Sequence, residues 1–295
     1  MDSKPSTETL LWGVDFSSAP SRRKPIWQAI GEWRGEQVQL RALTPHYSLT
    51  DFEKVLAAPG PWLGGFDLPL GLPACFVRDM GLGSDLPQVA QQMRGRFPDR
   101  NAWRTGIDAW RATQPAGQVL PHRACDVLLP EGARSTSPLQ TRYVPVALML
   151  YEGLPRLLAS GATLPGQVAG DPHRIALEAY PGWLALRVLG RRSYKNKDDP
   201  ARRAARQVLL EALEQDAAGL GLSVQCPEAL RQCMLDDASG DPLDALICLL
   251  QAAWASRQSR WGQPVELNPI EGWIVGAQSA STSLTMASDR LSPPP

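Results

Sequence analysis

The chain has 295 residues, 43% hydrophobic and 20% charged, with 30 basic and 30 acidic residues and a formal net charge of +0. That length can bury a large core, and the charge balance excludes a dedicated nucleic-acid coat protein while leaving room for a local basic track. No apolar run reaches membrane-spanning length and Met1–Glu8 lacks the basic-then-apolar pattern of a signal peptide, so a cytoplasmic protein with no membrane partner is expected.

Leu10–Asp15 (LLWGVD) reads as a short buried strand that ends on a carboxylate and runs into Ser17 and Ser18. A hydrophobic run over Ile26–Trp33, a turn at Arg34-Gly35-Glu36 and alternating Val38, Leu40 and Ala42 complete a three-strand meander. A short helix over Leu49–Ala57 precedes a second apolar strand, Trp62–Asp67 (WLGGFD). It too ends on an acid, and the breakers Pro69, Gly71 and Pro73 follow. Gly81–Leu139 is rich in Gly, Pro, Arg and Gln, with Trp103 and Trp110 as its main bulky groups. It does not look like fold core and reads as an insertion of short helices and loops lying over the sheet edge. An apolar helix is expected over Pro145–Ser160, then a strand ending at Tyr180 that carries Glu178 just before Pro181. Helices over Gly182–Leu189, Arg202–Leu220 and Pro227–Leu235 lead to an acidic helix starting at Asp241, and Gly272–Val275 suggests a small edge strand. Residues 9–276 are expected to form a single domain, and 277–295, dominated by Ser, Thr, Ala and Pro, a disordered tail.

Residues 236–254, DDASGDPLDALICLLQAAW, place Asp241 and Asp244 three apart on the first turn of a helix. Pro242 suits the first helical position, and Leu243, Ile247, Leu250 and Trp254 recur at helical spacing along one inward face. Asp241 is also a good N-cap and Asp244 resembles the acid of a capping box, so on these residues alone capping is the simpler account. The wider pattern shifts the balance. A carboxylate at the end of a buried strand is costly unless paired, hydrogen-bonded or bound to a metal. Asp15, Asp67 and Glu178 together with the Asp-x-x-Asp helix start point to a carboxylate cluster at one sheet edge. Such a cluster repels itself, and Mg²⁺ or Mn²⁺, which prefer oxygen ligands, would relieve it.

The segments WGVDFSSA, GGFDLPLGLP, LEAYPGW, DPLDALICLLQAAW and EGWI fall in the order seen in a family of predicted ribonuclease-H-like nucleases, domain of unknown function 429. The chain resembles that family from Trp12 to about Ile274, and DPLDAL is similar to the last acidic helix of Holliday-junction resolvases. The resemblance implies a ribonuclease-H-like α/β fold, a mixed five-stranded sheet flanked by helices, with the 81–139 segment inserted. It implies hydrolysis of nucleic-acid phosphodiester bonds by two metal ions roughly 3.5–4 Å apart. Asp15, Asp67, Asp241 and Asp244 match the positions of the metal-binding catalytic acids. Glu178 adds either an extra ligand or a group supporting the others.

DNA or RNA is the partner implied. The basic run Arg191–Lys197, with Tyr194 interleaved, leads into Arg202, Arg203 and Arg206. Tyr194 and Lys195 would stack a base and track a backbone, although a solvated charged face accounts for the run as simply. Arg123, in His122-Arg123-Ala124-Cys125-Asp126, is a second candidate to reach a scissile phosphate. No Gly-x-Ser-x-Gly elbow, Walker A or Gly-x-Gly-x-x-Gly element is present, and His46, His122 and His173 show no triad or metal-ligand spacing. The five cysteines, at 75, 125, 226, 233 and 248, form no Cys-x-x-Cys pair and fit reduced thiols. Two rival readings stay open. One is an actin-like or sugar-kinase-like ATP-binding phosphotransferase, which Asp15-Phe16-Ser17-Ser18 fits loosely without the expected glycine-rich turns. The other is a non-catalytic scaffold whose acids are caps and ion pairs.

Overall fold

The computed structural model describes residues 9–216 and 218–278. β1 (Leu10–Asp15), β2 (Ile26–Arg34) and β3 (Gln37–His46) form the expected antiparallel meander. Helix α1 (Leu49–Leu56), whose N-cap Ser48 accepts from the Asp51 N–H, leads to β4 (Trp62–Asp67). Then follow α2 (Ala74–Met80), α3 (Leu86–Arg96), α4 (Arg100–Ala112), α5 (Ala124–Val127) and α6 (Val146–Ala159). The chain continues through β5 (Ala162–Thr163), β6 (Asp171–Glu178), α7 (Pro181–Leu189), α8 (Pro200–Glu214), β7 (Ser223–Gln225), α9 (Glu228–Asp236) and α10 (Asp241–Ser256).

Among the described residues the strands make one mixed sheet in the order β5-β6-β4-β1-β2-β3-β7. β4 runs parallel to both β1 and β6, and β7 parallel to β3. The sheet has seven strands rather than the five expected. The additional ones, β5 with 2 residues and β7 with 3, are too short to carry an alternating pattern. The edge strand expected over Gly272–Val275 reduces to one bridge between Ile274 and Glu178.

Alternation along β1 sends Leu11, Gly13 and Asp15 to one face and Trp12 and Val14 to the other. Each face carries its own core. Leu11 packs with residues of α7, α8 and α10, whereas Trp12 and Val14 pack with residues of α1, α2, α3, α4 and α6. Two glycines decide how closely the first layer sits. Gly13 and Gly65 are register partners on β1 and β4. A Cβ on Gly13 would stand 2.0 Å from the Ala245 carbonyl oxygen, and one on Gly65 2.3 Å from that of Cys248. Helix α10 therefore lies directly on the paired strands, and its N-terminus is brought to their carboxyl ends.

The 81–139 segment differs from expectation. Its helices α3 and α4 bury Leu86, Val89, Met93, Trp103, Ile107 and Trp110 in the second core. Trp103 is fully buried, stacks on Tyr151 at 6.2 Å and donates its indole N–H to the Ala147 carbonyl at 3.0 Å. The apolar residues recur at helical spacing, and a composition averaged over the whole segment hides that. Of the expected tail, residues 279–295 lie outside the described residues, and Gln278 is tied by its N–H to the Leu128 carbonyl. No described helix is long and apolar enough to cross a membrane.

Candidate metal centre

The site is built at the carboxyl ends of the parallel strands, where ligands of open α/β sheets bind. Asp15 and Asp67 are register partners at the last positions of β1 and β4, so their side chains leave the sheet on the same face. That is the face on which α10 lies. Its first residue, Asp241, and Asp244 complete the group. Asp15, Asp241 and Asp244 each present a carboxylate oxygen within 4.8 Å of the others. Asp67 adjoins them through its strand pairing with Asp15.

The N-cap of α10 is Gly240, in the left-handed region at φ 79°, and no side chain caps this end. Asp241 is thus the first helical residue, its own N–H bonded to Ser239 Oγ at 3.1 Å, and the capping account of Asp241 and Asp244 falls. Asp15 and Asp241 are 8% and 7% exposed, yet among the described residues their carboxylates have no hydrogen-bond or ion-pair partner, and neither does that of Asp67. All three line a cleft of about 590 Å³. Burial, then repulsion from Asp241, Asp244 and Asp67, holds the Asp15 carboxyl well above the usual carboxylate range. Desolvation and the Asp244 charge push Asp67 up to about 7, and burial followed by Asp244 raises Asp241.

Asp244 is fully buried and has partners: the Tyr194 hydroxyl donates to Oδ1, and the Lys195 ammonium lies 2.5 Å from Oδ2. The Asp244 charge is the main reason the Lys195 amine is raised. Both residues sit on the loop between α7 and α8, and arginines of α8 hold that loop. Arg206 Nη1 donates to the Tyr194 carbonyl at 2.9 Å and Arg202 Nη1 to the Lys195 carbonyl at 2.7 Å. Much of the basic run expected to track a phosphate backbone is thus spent on loop architecture. Tyr194 is 6% exposed, with its hydroxyl on Asp244.

Glu178 lines the same cleft, and its charge helps to raise Asp67, but it is held differently. Its register partner is Phe66, so it leaves the sheet on the face opposite Asp67. There Arg123 clasps it, Nη2 to Oε1 at 2.6 Å and Nη1 to Oε2 at 2.7 Å, and the Leu70 N–H also donates to Oε2. Arg123 gives its remaining donors to Asp126 (Nε and Nη2) and to the Glu271 carbonyl (Nη1). All five guanidinium N–H groups have acceptors, which leaves none for a substrate phosphate. Asp126 and Glu271 were not anticipated as parts of this neighbourhood. The Glu271 carboxylate accepts from the Ala74 and Ala124 N–H groups, fastening the starts of α2 and α5. Their signal lay in segments already noted, Asp126 three residues after Arg123 and Glu271 opening EGWI, but no local pattern shows that they meet.

Among the described residues the converging group is made of carboxylate oxygens alone. The five cysteines are free, and burial pushes the Cys125 thiol up to about 12. The donor set therefore suits Mg²⁺ or Mn²⁺ rather than a thiophilic metal. Lys24, Arg191, Arg192 and the apolar Val146 and Met149 form other parts of the cleft lining.

Fold and site define an α/β protein with a cluster of aspartates at the carboxyl edge of its parallel strands. The chain belongs to the family described as protein of unknown function, DUF429, whose model matches residues 13–266. Comparison with curated proteins and with solved structures finds no match.

Proposed function

We propose that this protein is a metal-dependent nuclease that hydrolyses phosphodiester bonds in DNA or RNA, with Mg²⁺ or Mn²⁺ as its cofactor. One observation carries the reading: Asp15, Asp241 and Asp244 converge within 4.8 Å, and the first two, although largely buried, turn carboxylates without a protein partner into the cleft. Leaving such groups unpaired is costly, so their placement favours a bound cation. The strand order β3-β2-β1-β4-β6, three antiparallel strands followed by parallel neighbours, supports a ribonuclease-H-like fold. When bound, the cation supplies Lewis acidity and makes water more acidic. Asp15, Asp241 and Asp244 would hold it, with Asp67 beside them. Lys24, Arg191 and Arg192 put positive charge on a cleft with an acidic floor, which a phosphate backbone needs in order to approach.

The test is cleavage of labelled DNA and RNA with Mg²⁺ or Mn²⁺, run on the native protein and on Asp15→Asn and Asp241→Asn. Loss of a metal's several kcal/mol of transition-state stabilisation should lower turnover by at least about a hundredfold in both variants. Full activity in both would return these acids to a structural role.

A further inference from the structure

The carboxylates around the cleft fall into two sets. Glu178 and Asp244 already have cations of the chain's own: Arg123 clasps Glu178 through two parallel bonds, and Lys195 lies 2.5 Å from Asp244 Oδ2. Asp15, Asp67 and Asp241 make no ion pair among the described residues, and Lys195 and Lys24 act on them only from a distance. A centre with two cations needs carboxylates for both, bridging ions about 3.5–4 Å apart. Among the described residues only one trio converges, Asp15, Asp241 and Asp244. For a second ion next to Asp67 the one neighbouring acid left to share is Asp15, because Glu178 and Asp244 are engaged by the chain's own cations. Glu178 lines the cleft, but both its oxygens are bound by Arg123, and one lone pair of Asp244 Oδ2 is engaged by Lys195.

Lys195 is fixed in place. Its carbonyl is anchored by Arg202, the preceding carbonyl by Arg206, and its Cβ packs so closely on Gly240 that a side chain there would come within 2.7 Å. The N-cap glycine of α10 is thereby shaped to seat this lysine beside the acids of the same helix. Oδ2 of Asp244 keeps a further lone pair, and Oδ1 keeps one beside the Tyr194 hydroxyl, so Asp244 can still face a cation shared with Asp15 and Asp241.

We propose that the centre holds one divalent cation, not two, and that the Lys195 ammonium permanently supplies the second positive charge. The inference rests on the metal-dependent reading above and specifies how many ions that reading involves. Lys195 is a positioning residue for the carboxylates. Its charge, more than its shape, should set the stoichiometry.

The experiment is titration of the intact protein with Mn²⁺, read by calorimetry and by electron paramagnetic resonance. Native protein is expected to bind one ion per chain with an uncoupled Mn²⁺ spectrum. Lys195→Met should bind two, with the exchange coupling of a close pair, and Lys195→Arg should stay at one because the charge is retained. Circular dichroism would verify that each variant is folded; Lys195 is 37% exposed at its side chain, so its replacement leaves no large buried void. Two coupled ions in the native protein would overturn the one-ion proposal while leaving the metal reading intact. One ion in both native protein and Lys195→Met would overturn the role given to the lysine. No Mn²⁺ bound by native protein or either variant would overturn the metal reading itself.

Discussion

Two acidic clusters border the same cleft and have opposite designs. Around Arg123, the acids Glu178 and Asp126 are 4% and 0% exposed at their side chains and every guanidinium donor is used. Around α10, Asp15 and Asp241 are nearly as buried but have no partner among the described residues. A buried ion pair that is internally complete acts as a strut: it ties β6 to the 121–135 segment and, through Glu271, to the starts of α2 and α5. A buried set of acids without such partners is instead strained by burial and mutual repulsion, which raise the carboxyls of Asp15 and Asp241 above the usual range. Burial of an acid therefore says little about its role. The completeness of its hydrogen bonding separates the two.

The strut should show the largest effect on stability. Arg123→Met leaves Glu178 and Asp126 buried and uncompensated, which typically costs about 3–5 kcal/mol. Urea denaturation would read this as a lower midpoint with little change in slope. Replacing Arg123, Asp126 and Glu178 together with apolar residues of similar volume should cost much less, because no orphan charge remains. A loss below about 1 kcal/mol for Arg123→Met alone would erase the distinction between the clusters.

A smaller effect is expected where the open cluster is assembled. Gly13→Ala drives a methyl into the Ala245 carbonyl and the backbone of Leu249, so α10 must shift away from β1. Overpacking of this kind costs about 1–3 kcal/mol, and here it also moves Asp241 and Asp244 away from Asp15 and weakens Mn²⁺ binding. Gly95→Ala is the control: a Cβ there meets nothing within 4 Å, and an alanine in that helix should stabilise by roughly 0.5–1 kcal/mol. Equal Mn²⁺ affinity in Gly13→Ala and native protein would show that helix and strand acids do not act together.

These contrasts mark what could be read from residues alone. Asp15 and Asp67 were legible because each closes an apolar run, and the repeated Gly-x-Asp at the ends of WGVD and GGFD places a glycine on the same strand face as each acid. That spacing announces a close neighbour beside the carboxylate, here α10. Glu178 shares the outward pattern of an apolar run closed by an acid, but an offset of one residue in register turns it to the other face. Its cation lies 55 residues away in sequence, and no local pattern pairs them. Tyr194 and Lys195 stand out in sequence by their charge and aromatic character, which suggest a role toward a nucleic-acid backbone and base. Their actual engagement with Asp244 depends on a loop shaped by Arg202 and Arg206, which in sequence looked like more of the same basic run. The core-forming role of α3 and α4 was missed for a different reason, since frequent Gly and Pro around them outweighed the helical spacing of Leu86, Val89 and Met93.

The subtlest difference between the clusters is their response to pH. Burial and the Asp244 charge push Asp67 up to about 7 in the folded protein, against an ordinary carboxyl value of 3.8. Its folded pKa is raised, so between these values the folded state binds more protons than the unfolded one, and stability falls as pH rises. Without a divalent cation, the midpoint for unfolding should therefore decline from about pH 4 to about pH 7, with the raised carboxyls of Asp15 and Asp241 acting in the same direction. Asp67→Asn removes one titrating group and should flatten part of the decline. Adding Mg²⁺ or Mn²⁺ should flatten it too, because a bound cation favours the deprotonated acids it contacts. Denaturation midpoints across that range, with and without Mn²⁺, for native protein and Asp67→Asn, measure this directly. A native midpoint that instead rises steadily through this window without metal would mean that Asp15, Asp67 and Asp241 are stabilised as anions, and the open cluster would prove as complete as the one around Arg123.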